Sequence, residues 1–325
     1  MIDVVTERGS SGGDRVSFTV DISPGEKLVL ATAMLSNRDA DWADPVQAAA
    51  KAVASLAAPG AISKLDAQHR GWWAGFWSKS SIQIETDRPE FDSGLHRFYY
   101  GALHVLASAS RTGKVAPGLY GPWVTCDHML WGDDFHLNYN FQAAFYGAVG
   151  SNRPELADSF FAPVLNHVPI ARTNARNDFG CPGVVFDGAI GPRGMLATHV
   201  GDMGQRSDAA FAAVNFVSRW LYTRDMAFLD DDFGTGATGW ARTSVTPYEM
   251  LKDVAAFWMC YLQRNSTTGK YTSRPPFDRC IGLVDVSILS EVSILPDVSI
   301  LLACDAFIIM YQARQMKDLA ARSPA

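Results

Sequence analysis

Between Ala116 and Gln142 the chain reads APGLYGPWVTCDHMLWGDDFHLNYNFQ, a span that holds Trp123, Asp127, His128, Trp131, Asp133, Asp134, His136, Asn138, Asn140 and Gln142. Two indoles are more than a solvated loop requires, and three carboxylates with two imidazoles are more than a core tolerates. A pocket for a polyhydroxylated ring needs this mixture: an aromatic face for the sugar's C–H groups, edged by side chains that give and accept hydrogen bonds. The span is read as the floor of a carbohydrate site, with Trp123, Asp127, His128, Trp131, Asp134, His136 and Gln142 as candidate substrate-binding residues. The competing reading is a polar interhelical loop whose His and Asn side chains cap helix ends. A helix is predicted from about Leu137 through Val149, and Asn138 and Asn140 cannot both be its N-cap, so capping leaves one of them unexplained.

The run His136-Leu-Asn138-Tyr-Asn140-Phe-Gln142, preceded by Gly118-Leu-Tyr-Gly-Pro-Trp123 and followed by Phe145-Tyr146, resembles the signature of the glycoside hydrolase family 95 catalytic domain. Other segments agree in order: His69-Arg-Gly-Trp-Trp-Ala-Gly-Phe-Trp77, Ser80-Ser-Ile-Gln-Ile84, Ser108-Ala-Ser-Arg111 and Trp220-Leu-Tyr-Thr-Arg-Asp-Met-Ala-Phe-Leu229. The resemblance runs from Gln68 to Tyr271, and its specific part is the HLNxN run with the upstream GPW. It implies a mainly α fold, a six-hairpin (α/α) barrel behind an N-terminal β-domain, and α-L-fucosidase-like hydrolysis of O-glycosidic bonds with inversion. It also implies roles. The two Asn of the run would orient the attacking water, which assigns that task to Asn138 and Asn140. The general acid would be a Glu shortly after the stretch resembled by Gly269-Lys-Tyr271. The first acidic residue there is Asp278 and the nearest Glu is Glu291, so Asn138, Asn140 and Asp278 are the candidate catalytic residues. No residue matches the distant Asp that would be the general base. Inversion requires two carboxyl groups about 6.5 to 9.5 Å apart with a water between them, and a chain lacking one of them is expected to be inactive by itself. The alternatives are a six-hairpin glycoside phosphorylase, with phosphate in place of water, and a non-catalytic carbohydrate-binding relative.

Composition narrows the partners. The 325 residues carry a net charge of −6, and no basic stripe with interleaved aromatics points to nucleic acid. With 48% hydrophobic and 19% charged residues, the composition is that of a soluble globular protein. The opening MIDVVTERGSSGGD has no apolar core of a signal peptide, and no long apolar run predicts a membrane span. An oligosaccharide or glycan is the expected partner, without cofactor or metal, because no HExxH run or i, i+4 His pair occurs. Compartment and oligomeric state stay open. His96 and His104 are two helical turns apart, too far for a shared metal. The cysteines at 126, 181, 260, 280 and 304 form no C-x-x-C pair and are expected to be free buried thiols.

Three regions are predicted. Residues 1–40 would end an N-terminal β-sandwich, with a hairpin over Val16–Leu35 turning at Ser23-Pro-Gly-Glu26. Residues 41–89 would be a helical linker: Pro45 to Ala58, then Ile62 to Trp77 with Trp72, Trp73, Phe76 and Trp77 packing against the barrel, then a short strand at Ile82 and Ile84. Residues 90–325 would be a partial barrel with helices at Phe91–Ser110, Leu137–Val149, Pro154–Arg176, Gln205–Tyr222, Pro247–Leu262 and Leu301–Ala321. Val-Ser-Ile-Leu recurs three times between 284 and 301 in an atypical tail. The Gly-rich stretch from Asn177 to Arg206 is read as a loop covering substrate, with Asp187, His199, Asp202 and Gln205 as further sugar-binding candidates, Asp202 and Gln205 foremost.

Overall fold

The computed structural model describes residues 2–8, 14–35, 44–121, 128–198, 206–233, 245–264, 266–267 and 271–273. The chain is mainly helical and divides into two compact units, Met1–Arg70 and Gly71–Ala325.

In the first unit, β1 (Ile2–Arg8) pairs antiparallel with β2 (Asp14–Val20), from Ile2 opposite Val20 to Arg8 opposite Asp14. This corrects the expected hairpin. The Pro24-Gly25 turn does form, with Glu26 N–H donating to Ser23 O at 3.0 Å and Gly25 at φ 90°. Residues 27–35 nevertheless add no strand, and Leu28, Val29, Leu30 and Met34 are exposed. A turn of the right type does not by itself supply a partner, and β2 takes Ile2–Arg8 instead. Next, α1 (Pro45–Ser55) begins where Asp44 accepts from Gln47 N–H at 2.9 Å and Pro45 occupies the first turn.

α2 (Ala61–Ser78) crosses the division between the units. Its last turns belong to the second unit, where Phe76 is buried and Trp73 stacks on Trp77 at 5.7 Å and on His104 at 4.5 Å. Trp72 packs on one face only: it stacks on Phe76 at 5.4 Å, with the Arg111 guanidinium 4.0 Å from its ring centroid, and is still 42% exposed. His104 lies on α3 (Pro89–Ala109), which buries Leu103, Leu106 and Ala107 and leaves Leu95, Phe98 and Val105 exposed. The strand expected at Ile82 and Ile84 is absent. Tyr100 Oη bonds both the N–H and the C=O of Ile82, at 3.0 and 2.9 Å, and Ile84 N–H donates to His96 Nε2 at 2.7 Å. Side chains of α3 therefore satisfy the backbone that a neighbouring strand would have paired.

The stretch expected as one helix from Leu137 is split into α4 (Asn140–Ala143) and α5 (Tyr146–Gly150), joined by i→i−3 bonds from Phe145 to Gln142 and from Ala148 to Phe145. Behind them, α6 (Asp158–Phe179), α7 (Asp208–Thr223) and α8 (Pro247–Tyr261) form the core, with α8 contacting both α6 and α7. Ala209, Ala210, Ala212 and Ala213 are buried on α7, where small side chains let helix backbones approach closely. Thr246 and Glu249 close a capping box at the start of α8. A run of rings in contact, stacked from Phe135 through Phe141 to Phe160, edge-on at Phe161 and tilted at Phe216, joins α4, α6 and α7. Three short antiparallel strands, β3 (Phe135–His136), β4 (Ala189–Ile190) and β5 (Leu196–Thr198), are ordered β3-β4-β5, while β6 (Leu262–Arg264) pairs with β7 (Tyr271–Ser273).

Of the Gly-rich stretch expected to cover substrate, the part from Cys181 to Ile190 packs inside instead, while residues 199–205 lie outside the described residues. Cys181, Val184, Val185, Phe186, Asp187, Ala189 and Ile190 are all buried. Its glycines serve close packing: a Cβ on Gly183 would overlap Asp253 O and Phe257 N on α8, and one on Gly194 would overlap the α6 backbone at Asn166 and His167.

Candidate functional site

The site is built on the turn before β3. Trp131, Gly132 and Asp133 lie consecutively at φ 56°, 65° and 54°. For Trp and Asp this left-handed backbone costs on the order of 1 kcal/mol each. It is held by Asp133 Oδ1, which accepts from Tyr120 N–H at 2.8 Å, and by Gly118, where any Cβ would overlap Asp133. The consequence is a Trp131 ring that is 62% exposed yet stacked on His136, with centroids 4.8 Å apart and planes within 21°. His136 in turn sits 3.0 Å through Nδ1 from Asp134 Oδ1. The carboxylate can only accept, so Nδ1 carries a hydrogen. An exposed indole over an oriented imidazole is a usable platform for one face of a sugar ring.

Asn138 is half-buried and Asn140 exposed. The N-cap of α4 is Tyr139, without a side-chain cap, so neither asparagine caps this helix. Among the described residues neither amide group has a hydrogen-bond partner, and both are available to a ligand or water. Tyr139, between them, is exposed, with its ring 6.3 Å from Phe211. The Tyr146 phenol is pushed up to about 12 by burial and then by Tyr139. Both tyrosines lie in the stretch that carries the resemblance, yet neither was a candidate site residue, because a tyrosine beside phenylalanines reads as core.

Other candidates separate. Gln142 is fully buried and offers a ligand no surface: its Nε2 donates to Leu137 O, while its backbone carbonyl accepts from Asn215 Nδ2 at 3.1 Å. Leu137 N–H donates to Gly188 O at 2.9 Å, so the peptides before Asn138 are pinned from two sides. Asp187 is likewise fully buried, 2.9 Å from His167 Nε2 and 2.9 Å from the Asn174 amide, which removes it from the sugar-binding candidates. A charged carboxylate placed that deep finds its partners in the core. His128 is exposed, next to a stretch outside the described residues. Trp123, Cys126, Asp127, His199, Asp202, Gln205, Asp278 and Glu291 also lie outside the described residues.

Sequence inspection missed Asp208, at the start of α7. It is 3% exposed, its Oδ2 has no hydrogen-bond partner among the described residues, and burial, followed by the charge of Asp187, pushes its carboxyl up to about 7. An acid in a first helical turn looks like an ordinary dipole-matching residue in sequence. No three His, Cys, Asp or Glu side chains among the described residues come together as a metal site. The expectation of free thiols is corrected for two cysteines: Cys181 and Cys260 form a disulfide with Cα atoms 5.8 Å apart. Seventy-nine residues separate them in the chain, and pairing at that range depends on the tertiary packing of α6 and α8.

The glycosyl hydrolase family 95 catalytic domain matches residues 80–277, well over half of the chain. The chain belongs to that family. The family 95 match begins just beyond α2, contains the Trp131–His136 platform with Asn138 and Asn140, and stops one residue before Asp278. Membership makes this a glycoside-hydrolase-type domain, with a glycan as its class of substrate. No curated protein matches the chain. Among the described residues, no helix of the family 95 domain or of the preceding unit is long and apolar enough to cross a membrane.

Proposed function

We propose that the chain carries the glycan-binding and water-positioning half of an inverting, α-L-fucosidase-like glycosidase site. One observation carries the proposal: Asn138 and Asn140 flank the start of a helix that neither caps, and among the described residues neither amide has a hydrogen-bond partner, in the same short run as the stacked Trp131 and His136 and its Asp134 partner. An amide offers a donor and an acceptor without changing charge, so two of them can hold a water against a sugar ring in one orientation. Family membership and the HLNxN run support the assignment. The partial six-hairpin toroid that we assign to residues 90–325 would bring the N-terminal ends of α4 and α7 toward one ligand.

Hydrolysis further requires an acid and a base about 6.5 to 9.5 Å apart. Asp133 and Asp134 are already engaged with Tyr120 N–H and His136, which favours a second reading: glycan binding without turnover. The two are separated by incubating the chain with an α-L-fucosylated oligosaccharide and following the released sugar by proton NMR. Inverting hydrolysis gives the β-anomer first, and release only with added phosphate marks a phosphorylase. Saturable binding with no release supports the binding reading, and neither binding nor release rejects both.

A further inference from the structure

We propose that the Cys181–Cys260 disulfide is a reducible clasp that holds the segment 180–191 against α6 and α8, and through it the strand that carries the glycan platform. The clasp joins the residue after the α6 C-cap, Gly180, to the last turn of α8. Its neighbours already bring these two places together: Arg172 reaches Asp253 Oδ2 through Nε at 2.7 Å and Nη2 at 2.6 Å, and Phe179 meets Phe257 and Tyr261 edge-on at 5.6 Å. From the clasp onward the segment is zipped to α6. Val185 N–H donates to Ala171 O at 3.1 Å, Asn174 Nδ2 donates to Val185 O at 3.2 Å, and Asp187 meets His167. It ends as β4, which pairs Ile190 with Phe135 and Ala189 with His136, while Gly188 O takes the Leu137 N–H. The path from the disulfide to His136 is therefore continuous backbone and hydrogen bonds.

The bond is buried on one side and reachable on the other. Cys181 is buried and Cys260 is half-buried, and Cys181 lines a 360 Å³ cavity with Arg172, Arg176, Pro182 and Asp253. A small dithiol entering that cavity would approach the bond from the Cys181 side. Reduction is balanced by a dithiol: one thiolate attacks a protein sulfur, a mixed disulfide forms, and the second thiol closes a cyclic disulfide, leaving two protein thiols. Two electrons and two protons pass from the dithiol to the protein, and a disulfide donor reverses the exchange. A bond of this kind forms and persists in an oxidising compartment and is lost in a reducing one. The clasp is independent of which ligand the Asn138–Asn140 face takes.

The test uses the intact chain purified without reductant. Peptide mapping under non-reducing conditions is expected to recover Cys181 linked to Cys260. Dithiothreitol is expected to speed deuterium uptake first in 180–191 and in the last turn of α8, and to lower Tm by roughly 5–10 °C, as removal of a long-range crosslink does. The double variant Cys181→Ser with Cys260→Ser is expected to behave as the reduced protein with or without dithiothreitol. Should that variant fail to fold, the wild-type comparison before and after reduction decides alone. Both thiols alkylating in the untreated native chain would overturn the proposal, as would verified reduction with no change in uptake or Tm.

Discussion

His136 donates its Nδ1 hydrogen to Asp134 Oδ1 across 3.0 Å, with 12% and 11% of the two side chains exposed. The pairing fixes the ring beneath Trp131 and leaves Nε2 as the polar atom that can meet a sugar hydroxyl. Asp134→Asn keeps an acceptor of the same shape and removes the charge, and charge-assisted bonds are about twice as strong as neutral ones. The expected result is about three- to tenfold weaker glycan binding, read by titration calorimetry, with Tm within about 2 °C of wild type. Unchanged affinity would show that the ring needs no orienting carboxylate.

Trp131 separates function from stability in one substitution. Glycine suits its φ of 56°, so Trp131→Gly should relieve strain while losing little packing from a largely exposed ring. Its greater chain entropy when unfolded opposes that gain, and the net change in unfolding free energy should stay within about 1 kcal/mol. Glycan affinity should still fall by about tenfold or more, because a stacked aromatic–ligand contact is worth about 1 kcal/mol or more. Urea titration and calorimetry on one preparation give both readings.

Arg153 is expected to matter only for the fold. It is fully buried; it donates to Phe76 O at 2.8 Å, Ser151 O at 2.6 Å, Ser80 O at 3.2 Å and the Ser80 hydroxyl, and it lies 4.3 Å from the Phe76 ring centroid. These carbonyls end α2 and precede α6, and a lysine cannot serve them all because it lacks the planar fork. Arg153→Lys should cost on the order of 2–4 kcal/mol by urea denaturation, since several carbonyls lose their donor in a dry site. Ligand affinity of the folded fraction should not change.

Asp208 makes stability depend on pH with a sign opposite to that of a salt-bridged carboxylate. Its folded-state value is raised to about 7 from 3.8, so the folded chain holds this proton to higher pH than the unfolded chain. The contribution is full below about pH 4 and is lost as pH rises through about 7, a change on the order of a few kcal/mol. The start of α7 favours an anion by only about 0.3–1 kcal/mol, so burial wins. Asp208→Asn removes the titration: urea midpoints should vary less between pH 4 and 8 than in wild type, and should exceed wild type at pH 8. Parallel pH profiles would contradict this.

Local chemistry made much of the fold legible. Asp44-Pro45 and Thr246-Pro247 with Glu249 each mark a helix start, and each helix begins there, whereas the helix expected from Phe91 begins at Pro89. The sequence reading that Asn138 and Asn140 cannot both cap a helix agrees with a helix start at which neither does. Gln142 and Asp187 misled because a polar side chain looks the same in sequence whether it meets ligand or braces a buried peptide, and only burial tells the cases apart. The β1–β2 pairing and the Cys181–Cys260 bond were illegible for a related reason: each is a choice among partners, settled by packing elsewhere in the chain.

Asn138 and Asn140, on either side of the Tyr139 N-cap, are expected to serve ligand and water rather than α4. Titrating an α-L-fucosylated oligosaccharide into wild type, Asn138→Ala and Asn140→Ala, with a thermal melt of each, tests it most directly. Wild type should bind saturably and each variant about tenfold more weakly, the equivalent of one lost hydrogen bond, with Tm within about 2 °C. Failure of wild type to bind would contradict it. So would variants that bind as wild type does but lose about 1 kcal/mol of stability, the outcome expected of helix caps.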